Sequence, residues 1–345
     1  MAGFWGSAEV DSCILKLMIN YRQLVTGVTA VCLLVGSTTK TSAQRRPNPH
    51  FAPYSAVSLG AGTSTYFGEL NPYSVPWKSL FTLPRWNAGI GYTRYFTPRF
   101  AARAMFTWAR MVGDDYTFSK SNPEKYALQY VRNLHFRNDV KEFSVTGIYN
   151  LIPEGRNSDA RPKIVPYLFA GLALVAHSPE AVTPTASYSS SEQYTPGTWV
   201  KLQPLHTEGQ GQPGSQKPYS LVTAAIPVGF GARFKLNESF NIGAEISYRM
   251  TFTNYLDDVG DGYANPDALQ GLASIMADRR NEPDAARVNE SRDPALQQLR
   301  QTNPELFSTS ARGGGAKKIP RDGYVLTHFS IQYVIPGKIK CPPVK

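Results

Sequence analysis

Residues 240–253 read F-N-I-G-A-E-I-S-Y-R-M-T-F-T, and this stretch decides the fold of the chain. Every even-numbered position from Phe240 to Phe252 is apolar, whereas the odd-numbered positions are polar or glycine. Strict alternation predicts a β-strand, because successive side chains of a strand point to opposite faces. The stretch is also much longer than a typical soluble strand of ~5–6 residues.

Two architectures produce such a strand. In an outer-membrane barrel, apolar side chains face lipid, aromatic side chains lie near both membrane interfaces, and polar side chains face the interior. A soluble β-sandwich buries one face and leaves the other in water, which gives the same alternation in shorter strands. The aromatic residues at both ends of the apolar face agree with the barrel. This stretch alone does not distinguish the two architectures.

Similar alternation, weaker in places, recurs along the chain. The connections are alternately long and short, beginning and ending with a long one, as in outer-membrane barrels with short periplasmic turns and long external loops. We therefore predict an all-β fold, an eight-stranded antiparallel transmembrane β-barrel. Its closure removes the unpaired strand edges that lipid cannot satisfy. The predicted strands cover residues 55–69, 85–96, 100–111, 139–151, 163–176, 219–234, 240–253 and 322–335.

The N-terminus has the pattern of a secretory signal peptide. An apolar run from Leu24 to Gly36 follows the basic residues Lys16 and Arg22, and small residues at 41–43 form a cleavage site. Met18 would make a normal signal start, so residues 1–17 are interpreted as an over-extended gene start. The predicted organisation is a signal peptide, an N-terminal segment, an outer-membrane barrel and a periplasmic tail, over residues 1–43, 44–54, 55–335 and 336–345.

Charge and hydropathy limit the kinds of partner that we expect for this protein. The formal net charge is +10, but no stripe of Lys and Arg interleaved with aromatic residues occurs, so nucleic acid is not an expected partner. Beyond the signal peptide, no run of about 18 apolar residues predicts a membrane-spanning helix. We expect the protein in the cell outer membrane, in contact with its lipid.

The polar faces of the strands predict the contents of the barrel. Eight strands enclose a space that side chains can fill. Unpaired charges would be costly there, so we expect arginine–carboxylate pairs that bridge strands. A structural plug is favoured over a proton or solute path. The inward residues selected for this lumen network are Arg103, Glu142, Glu245, Arg249 and His328.

Enzymatic and metal-binding alternatives depend on the loops. His206 and Glu208 lie in one long loop, and Asp257, Asp258 and Asp261 cluster in another. A His/Asp catalytic site at the barrel mouth or a calcium site on the aspartates is conceivable. However, the aspartates lack the spacing of an EF-hand, and no nucleophile elbow occurs. No catalytic residue, cofactor or metal site is therefore assigned, and we expect a non-enzymatic protein.

Cys341 is the cysteine that remains after removal of the signal peptide. It follows the last predicted strand by a few residues, which places it in the oxidising periplasm. A single cysteine in an exported protein suggests either an intermolecular disulfide or a free thiol. The two prolines after it keep this tail extended.

Several segments resemble a Bacteroidetes outer-membrane barrel family that is similar to the PorG component of the type IX secretion and gliding machinery. They include Y-F-G-E-L-N-P at 66–72, W-V-K-L-Q-P-L-H-T-E-G-Q-G at 199–211 and Y-R-M-T-F-T-N-Y-L-D-D-V at 248–259. The resemblance runs over about 55–335. It implies a non-enzymatic outer-membrane anchor that holds a periplasmic ring of lipoprotein and partner subunits. The family also contains paralogues of unknown role, and residues 180–196 match none of its motifs.

Three functional hypotheses follow. The favoured one is a structural barrel that anchors a periplasmic assembly of a secretion and gliding apparatus through its turns and tail. The alternative is a surface adhesin or ligand-binding barrel that acts through the loops at 177–217 and 255–321. An enzyme at the barrel mouth, using His206 or Asp257, is the third.

Overall fold

The computed structural model describes residues 51–185, 194–213, 215–313 and 321–337. Its strands lie in a single sheet, and every pairing in that sheet is antiparallel. In chain order the strands are β1 (Tyr54–Phe67), β2 (Arg85–Tyr95), β3 (Phe100–Asp114), β4 (His135–Asn150), β5 (Ile164–Ala176), β6 (Pro179–Val182), β7 (Trp199–Lys201), β8 (Val222–Lys235), β9 (Phe240–Thr251) and β10 (Gly323–Ile335).

The eight long strands form a closed barrel. Each pairs with its neighbours in the order β3-β2-β1-β10-β9-β8-β5-β4, and β3 also pairs with β4, which closes the ring. The first and last strands are joined from Ser55 opposite Ile335 to Phe67 opposite Gly323. The predicted eight-stranded antiparallel barrel is confirmed, and no long strand keeps an unpaired edge.

The alternation in β9 gives the wall two faces. Asn241, Ser247 and Arg249 are buried inside the barrel, whereas Ile242 and Met250 are exposed on the outside. The same division is found around the ring. Outward apolar side chains, each between 42% and 70% exposed, include Leu59, Ile90, Phe106, Leu172, Phe230, Ile242, Phe329 and Ile331. The barrel therefore carries an apolar belt outside and a polar interior.

Aromatic residues mark both ends of this apolar belt. Trp86 and Trp108 meet edge to face at 5.2 Å between ring centroids, near the long loops. At the opposite end, Phe100 lies 5.1 Å from Tyr149, and Phe240 pairs similarly with Tyr333. About a dozen residues per strand at ~3.3 Å rise, with a barrel's tilt, cover the ~25 Å apolar band of an outer-membrane wall.

The two ends of the barrel are built differently. One end carries the short connections at 96–99, 151–163 and 236–239. The turn at Asn237 is held locally, because its side-chain Oδ1 accepts hydrogen bonds from the backbone N–H groups of Ser239 and Phe240, each at 2.9 Å. The other end carries four long loops, over 68–84, 115–134, 177–221 and 252–322, whose described residues we call the loop cap.

The loop cap contains more regular structure than the sequence predicts. The sequence of the longest loop predicts helical pieces at 268–278 and 294–299, and helices occur close to both. None of the helices in the described parts of the chain is long and apolar enough to cross a membrane. The helices are α1 (Pro76–Thr82), α2 (Asp115–Ser119), α3 (Ala127–Arg132), α4 (Leu272–Ala277), α5 (Ala295–Thr302) and α6 (Glu305–Ser308), with 3₁₀ turns at Gln203–Leu205 and Pro266–Ala268.

Two loops differ from the sequence-based expectation. The long loop predicted at 177–217 contains two short strands, because β6 pairs with β4 and β7 pairs with β6, so the sheet continues beyond the barrel. The β3–β4 loop is shorter than predicted, because Met111 to Asp114 pair with Asn138 to His135. These extensions are stabilised by a small core above the barrel, in which Met111, Leu134, Phe136 and Leu256 are fully or almost fully buried.

Candidate functional site

The lumen brings the predicted charged residues together in pairs. Arg103 on β3 donates a hydrogen bond to the carboxylate of Glu245 on β9, and both side chains are buried. β3 and β9 lie on opposite sides of the ring, so this pair spans the interior. Tyr167 on β5 donates to the same Glu245 oxygen at 2.6 Å.

A second pair lies closer to the loop cap. Arg249 contacts both oxygens of Glu142, with Nε–Oε2 at 3.1 Å and Nη2–Oε1 at 3.3 Å. Tyr324 donates its hydroxyl to Glu142 Oε2 at 2.6 Å. Glu142 and Glu245 thus each have an arginine and a tyrosine as donors, which is the arrangement that compensates loss of hydration.

His328 takes a different position from the arginine–carboxylate pairs. Its Nδ1 lies 2.8 Å from Asn87 Oδ1, across the intervening strand β1. In the β9–β10 register it is opposite Glu245, so all five predicted lumen residues face the same interior.

Sequence reasoning missed a further network at the short-turn end. Arg233 on β8 is paired with Glu154 of the 151–163 connection and donates to Asn150 Oδ1 at 3.2 Å. Arg161 donates to Asn241 Oδ1 at 3.2 Å and to turn carbonyls. The inward direction of Arg233 follows from the alternation of β8, but nothing in the sequence indicates that Glu154 folds back into the barrel.

Together these contacts fill the lumen. Polar side chains from opposite walls meet along its length, and the ion pairs leave no charged group of this set without a partner. Such an arrangement favours a unique packing of the strands.

The loop cap also buries charges. Arg132 at the end of α3 binds Asp115 with two hydrogen bonds of 2.7 Å, and it donates to the carbonyl oxygens of Glu69 and Arg312. Arg312 in turn pairs with Glu208 at 3.2 Å and donates to the Asp258 carbonyl at 2.7 Å. These buried guanidinium groups connect segments that are far apart in the sequence.

The aspartates considered as an alternative calcium cluster, Asp257, Asp258 and Asp261, do not converge. Asp258 accepts from Thr207 and, at 2.6 Å, from Tyr219. Asp261 is exposed and accepts from Gln216 at 2.9 Å. Asp257 is buried, and its carboxyl group lies apart from those of Asp258 and Asp261. The reason is that the loop backbone turns sharply here, with Asp258 in the left-handed region at φ 68°.

Asp257 instead meets two carboxylates that lie far from it in the sequence. Glu69 follows β1, Asp322 precedes β10, and one oxygen from each of the three residues lies within 4.8 Å of the others. We call this group the carboxylate triad. Burial raises the pKa of Asp257 and of Asp322 well above the usual range, and repulsion between the carboxylates raises both further.

The second candidate feature of the cap is a cavity of about 370 Å³. It lies between the 194–213 and 255–265 segments and is bordered largely by polar groups. The Gln210 side chain is buried beside it, and its Nε2 has no hydrogen-bond partner among the described residues. The lining side chains include Glu208, Gln210, Tyr255, Asp261, Tyr263 and Asn265.

His206 was considered in the sequence analysis as a member of a catalytic site. His206 terminates the 3₁₀ turn at Gln203–Leu205 in a left-handed conformation, on a different loop from the buried Asp257. Cys341, the signal peptide at 1–43, most of the segment at 44–54 and most of the tail at 336–345 lie outside the described residues.

The closed ring, its apolar belt and its filled interior define the chain as an eight-stranded antiparallel β-barrel with a large loop cap. No family model matches the chain, and no curated protein sequence matches it. Comparison with solved structures gives distant similarities.

Three of these structures are outer-membrane or surface proteins. The attachment invasion locus protein Ail of Yersinia pestis, in complex with the heparin analogue sucrose octasulfate, is 9% identical, with 83% of this chain and 100% of that chain covered and a TM-score of 0.34. Neisserial surface protein A is 9% identical, covering 81% and 96%, with a TM-score of 0.33. The outer membrane enzyme PagL is 12% identical, covering 83% and 99%, with a TM-score of 0.24. The barrel assignment itself rests on the strand pairing of the chain.

Proposed function

We propose that this protein is a non-enzymatic barrel of the cell outer membrane whose wall contacts lipid and whose lumen is closed. The observation that carries the proposal is the continuous belt of exposed apolar side chains around a polar interior whose buried arginines and carboxylates form ion pairs. In water, an exposed apolar surface of this extent would drive aggregation, since soluble monomers rarely expose large contiguous apolar patches. In lipid the same surface is stabilising, and the closed ring satisfies the backbone.

The filled lumen argues for a structural role. A diffusion channel needs an open aqueous path, which barrels reach at larger strand numbers. Arg103, Glu142, Glu245 and Arg249 occupy the path here. The surfaces left for function are therefore the loop cap at one end and the turns and tail at the other.

We further propose that the short-turn end anchors a periplasmic assembly of a type IX-like secretion and gliding apparatus. Support comes from the sequence segments that resemble the PorG-like barrel family. The proposed partners are periplasmic lipoprotein and ring subunits, with Cys341 as a site for a covalent bond to one of them. The predicted signal peptide supplies the export that this location requires.

Crosslinking from the two ends of the barrel tests this anchor. A photo-crosslinking amino acid replaces Glu238, which is exposed in the turn at 236–239. In a second variant it replaces Gln297, which is exposed on α5 of the loop cap. The products of the two variants are compared in native membranes. We expect a high-mass product from position 238 that identifies a periplasmic protein, and none of that mass from position 297.

A Cys341→Ser variant on a non-reducing gel tests the disulfide separately. Deletion of the protein with secretion and gliding intact would contradict the anchor.

One observation favours a second candidate function, ligand binding by the loop cap. The cavity of about 370 Å³ is within the usual ~300–1,000 Å³ of small-molecule sites. Its tyrosines and amides suit a polar ligand such as a saccharide. Binding of cells or purified glycans to the intact barrel, and its loss in Tyr255→Ala but not in the control Gln297→Ala, would support this candidate.

A further inference from the structure

The carboxylate triad joins three parts of the chain at the base of the loop cap. Glu69 directly follows the first loop residue after β1, Asp257 comes from the longest loop, and Asp322 is the residue before β10. Asp257 and Asp322 are each 1% exposed or less. Three carboxyl groups are thus held within 4.8 Å in a site that excludes most water.

The triad forms no ion pair within the part of the chain that the structure describes. None of the ion pairs there includes Glu69, Asp257 or Asp322. Burial raises the pKa of Glu69 and of Asp257, and it outweighs the charge of Arg132, which acts to lower both. The Arg132 guanidinium donates two hydrogen bonds to Asp115, and its hydrogen bond to Glu69 is to the backbone carbonyl. Uncompensated carboxylates at such depth are strongly destabilising.

A buried oxygen of Asp257 has no hydrogen-bond donor among the described residues. Asp322 is satisfied, because Tyr66 donates to its Oδ1 and the Leu256 backbone N–H donates to its Oδ2, both at 2.8 Å. Asp257 Oδ1 accepts from the Val259 N–H at 3.0 Å, but the buried Oδ2 has no partner among the described residues. The single proton of the Tyr66 hydroxyl cannot serve both aspartates.

Gly68, directly before Glu69, lets the backbone pass close to the Tyr66 and Asp322 side chains. A Cβ on Gly68 would lie 1.9 Å from the Tyr66 hydroxyl oxygen and 2.2 Å from Asp322 Oδ1. A side chain at position 68 would therefore displace the buried Tyr66 hydroxyl and the Asp322 carboxyl group.

We propose that the carboxylate triad binds one calcium ion. Calcium takes oxygen ligands at about 2.3–2.6 Å, so oxygens bound to one ion lie no more than roughly 5 Å apart, as these do. The ion supplies the missing positive charge and a partner for Asp257 Oδ2. Magnesium is disfavoured, because it demands ligands at about 2.0–2.1 Å in a strict octahedron. The bound ion connects the end of β1, the start of β10 and the longest loop.

Titration calorimetry tests the site on the full chain purified from membranes in detergent and stripped with EDTA. We expect one calcium ion per chain with a Kd below about 1 mM, as in extracellular calcium modules, and magnesium binding at least ~10-fold weaker. Asp257→Asn weakens calcium binding at least ~10-fold, whereas Asp267→Asn, an exposed aspartate of the same loop, leaves the Kd within about 2-fold.

Glu69→Gln provides a second variant, because Glu69 is only partly buried and its loss disturbs packing least. On a denaturing gel, a variant that still forms the barrel runs at a different position before heating than after it. The proposal is overturned if the wild-type chain binds no calcium at about 5 mM and unfolds at the same temperature with and without EDTA, in which case shared protons neutralise the triad. Equal weakening by Asp257→Asn and Asp267→Asn would overturn it as well.

Discussion

The lumen and the loop cap both bury charged side chains, but they compensate them in different ways. In the lumen, Glu142 and Glu245 each have an arginine and a tyrosine partner. In the cap, Asp115 is matched by Arg132, whereas the carboxylate triad takes part in no ion pair of the described residues.

This difference follows from how the two regions are built. Strands present inward side chains at fixed spacing, so an arginine and a carboxylate on opposite walls can meet directly. Loops bring together groups from distant parts of the chain, and excess negative charge can collect there. A lumen neutralised by side chains needs nothing from solution, while a cap with unmatched carboxylates needs a cation or protons.

The largest effect is expected from breaking a lumen pair. Glu142→Ala leaves Arg249 buried without its carboxylate and Tyr324 without its acceptor, so the free energy of unfolding should fall by about 3–5 kcal/mol. Urea unfolding of the barrel in lipid vesicles measures it. A double variant, Glu142→Leu with Arg249→Met, should recover most of the loss. A fall below about 1 kcal/mol for the single change would show that the pair does not stabilise the lumen.

A matched change in the cap should act locally. Asp115→Ala leaves Arg132 buried and unpaired, so the free energy of opening the cap should fall by about 3 kcal/mol, while global unfolding changes by about 1 kcal/mol or less. Hydrogen exchange and limited proteolysis of the loops separate the two. Asp267→Ala is the control, because Asp267 is an exposed residue of the cap and belongs to none of the ion pairs of the described residues. An equal loss in loops and strands would contradict a separable cap.

The smallest effect concerns pH and His177. This ring is stacked on Tyr219, and neither of its nitrogens has a partner among the described residues. Burial lowers the pKa of His177 to about 4. Because the opened cap binds the proton more readily, the free energy of cap opening should decrease as pH falls from about 6.5 to 4, by about 1 kcal/mol at pH 5.5.

Hydrogen exchange of the 177–221 loop at pH 7.5 and 5.5 measures this change. In His177→Gln, which has no proton to take up, the corresponding part of the pH dependence should disappear. An unchanged pH dependence would show that His177 does not couple protonation to the cap.

The barrel could be predicted from the sequence because its wall follows a simple rule. Period-two alternation located the eight long strands, and parity assigned Arg103, Glu142, Glu245, Arg249 and His328 to the interior. The rule also places Arg233 inside, although it was not selected. Which arginine meets which carboxylate depends on the register and curvature of the ring, and alternation does not contain that information.

The loop cap could not be predicted in the same way. Its sequence has no period, so β6 and β7 gave no signal beyond short polar segments. The triad unites Glu69 with Asp322 across almost the whole barrel sequence, and only closure of β1 on β10 makes them neighbours. Proximity in the sequence suggested a group of Asp257, Asp258 and Asp261, but side chains at successive loop positions point in different directions.

Spin-label accessibility tests most directly whether the outer wall faces lipid. Single cysteines replace Phe329 on the outer face of β10, inward-facing Ser330 and exposed Gln297 of the cap, each in a Cys341→Ser background. In native-like vesicles, we predict that the label at 329 is relaxed strongly by oxygen and little by a water-soluble nickel chelate, that the label at 297 shows the reverse, and that the label at 330 is reached by neither. A label at 329 that is as open to nickel as the label at 297 would contradict the membrane barrel.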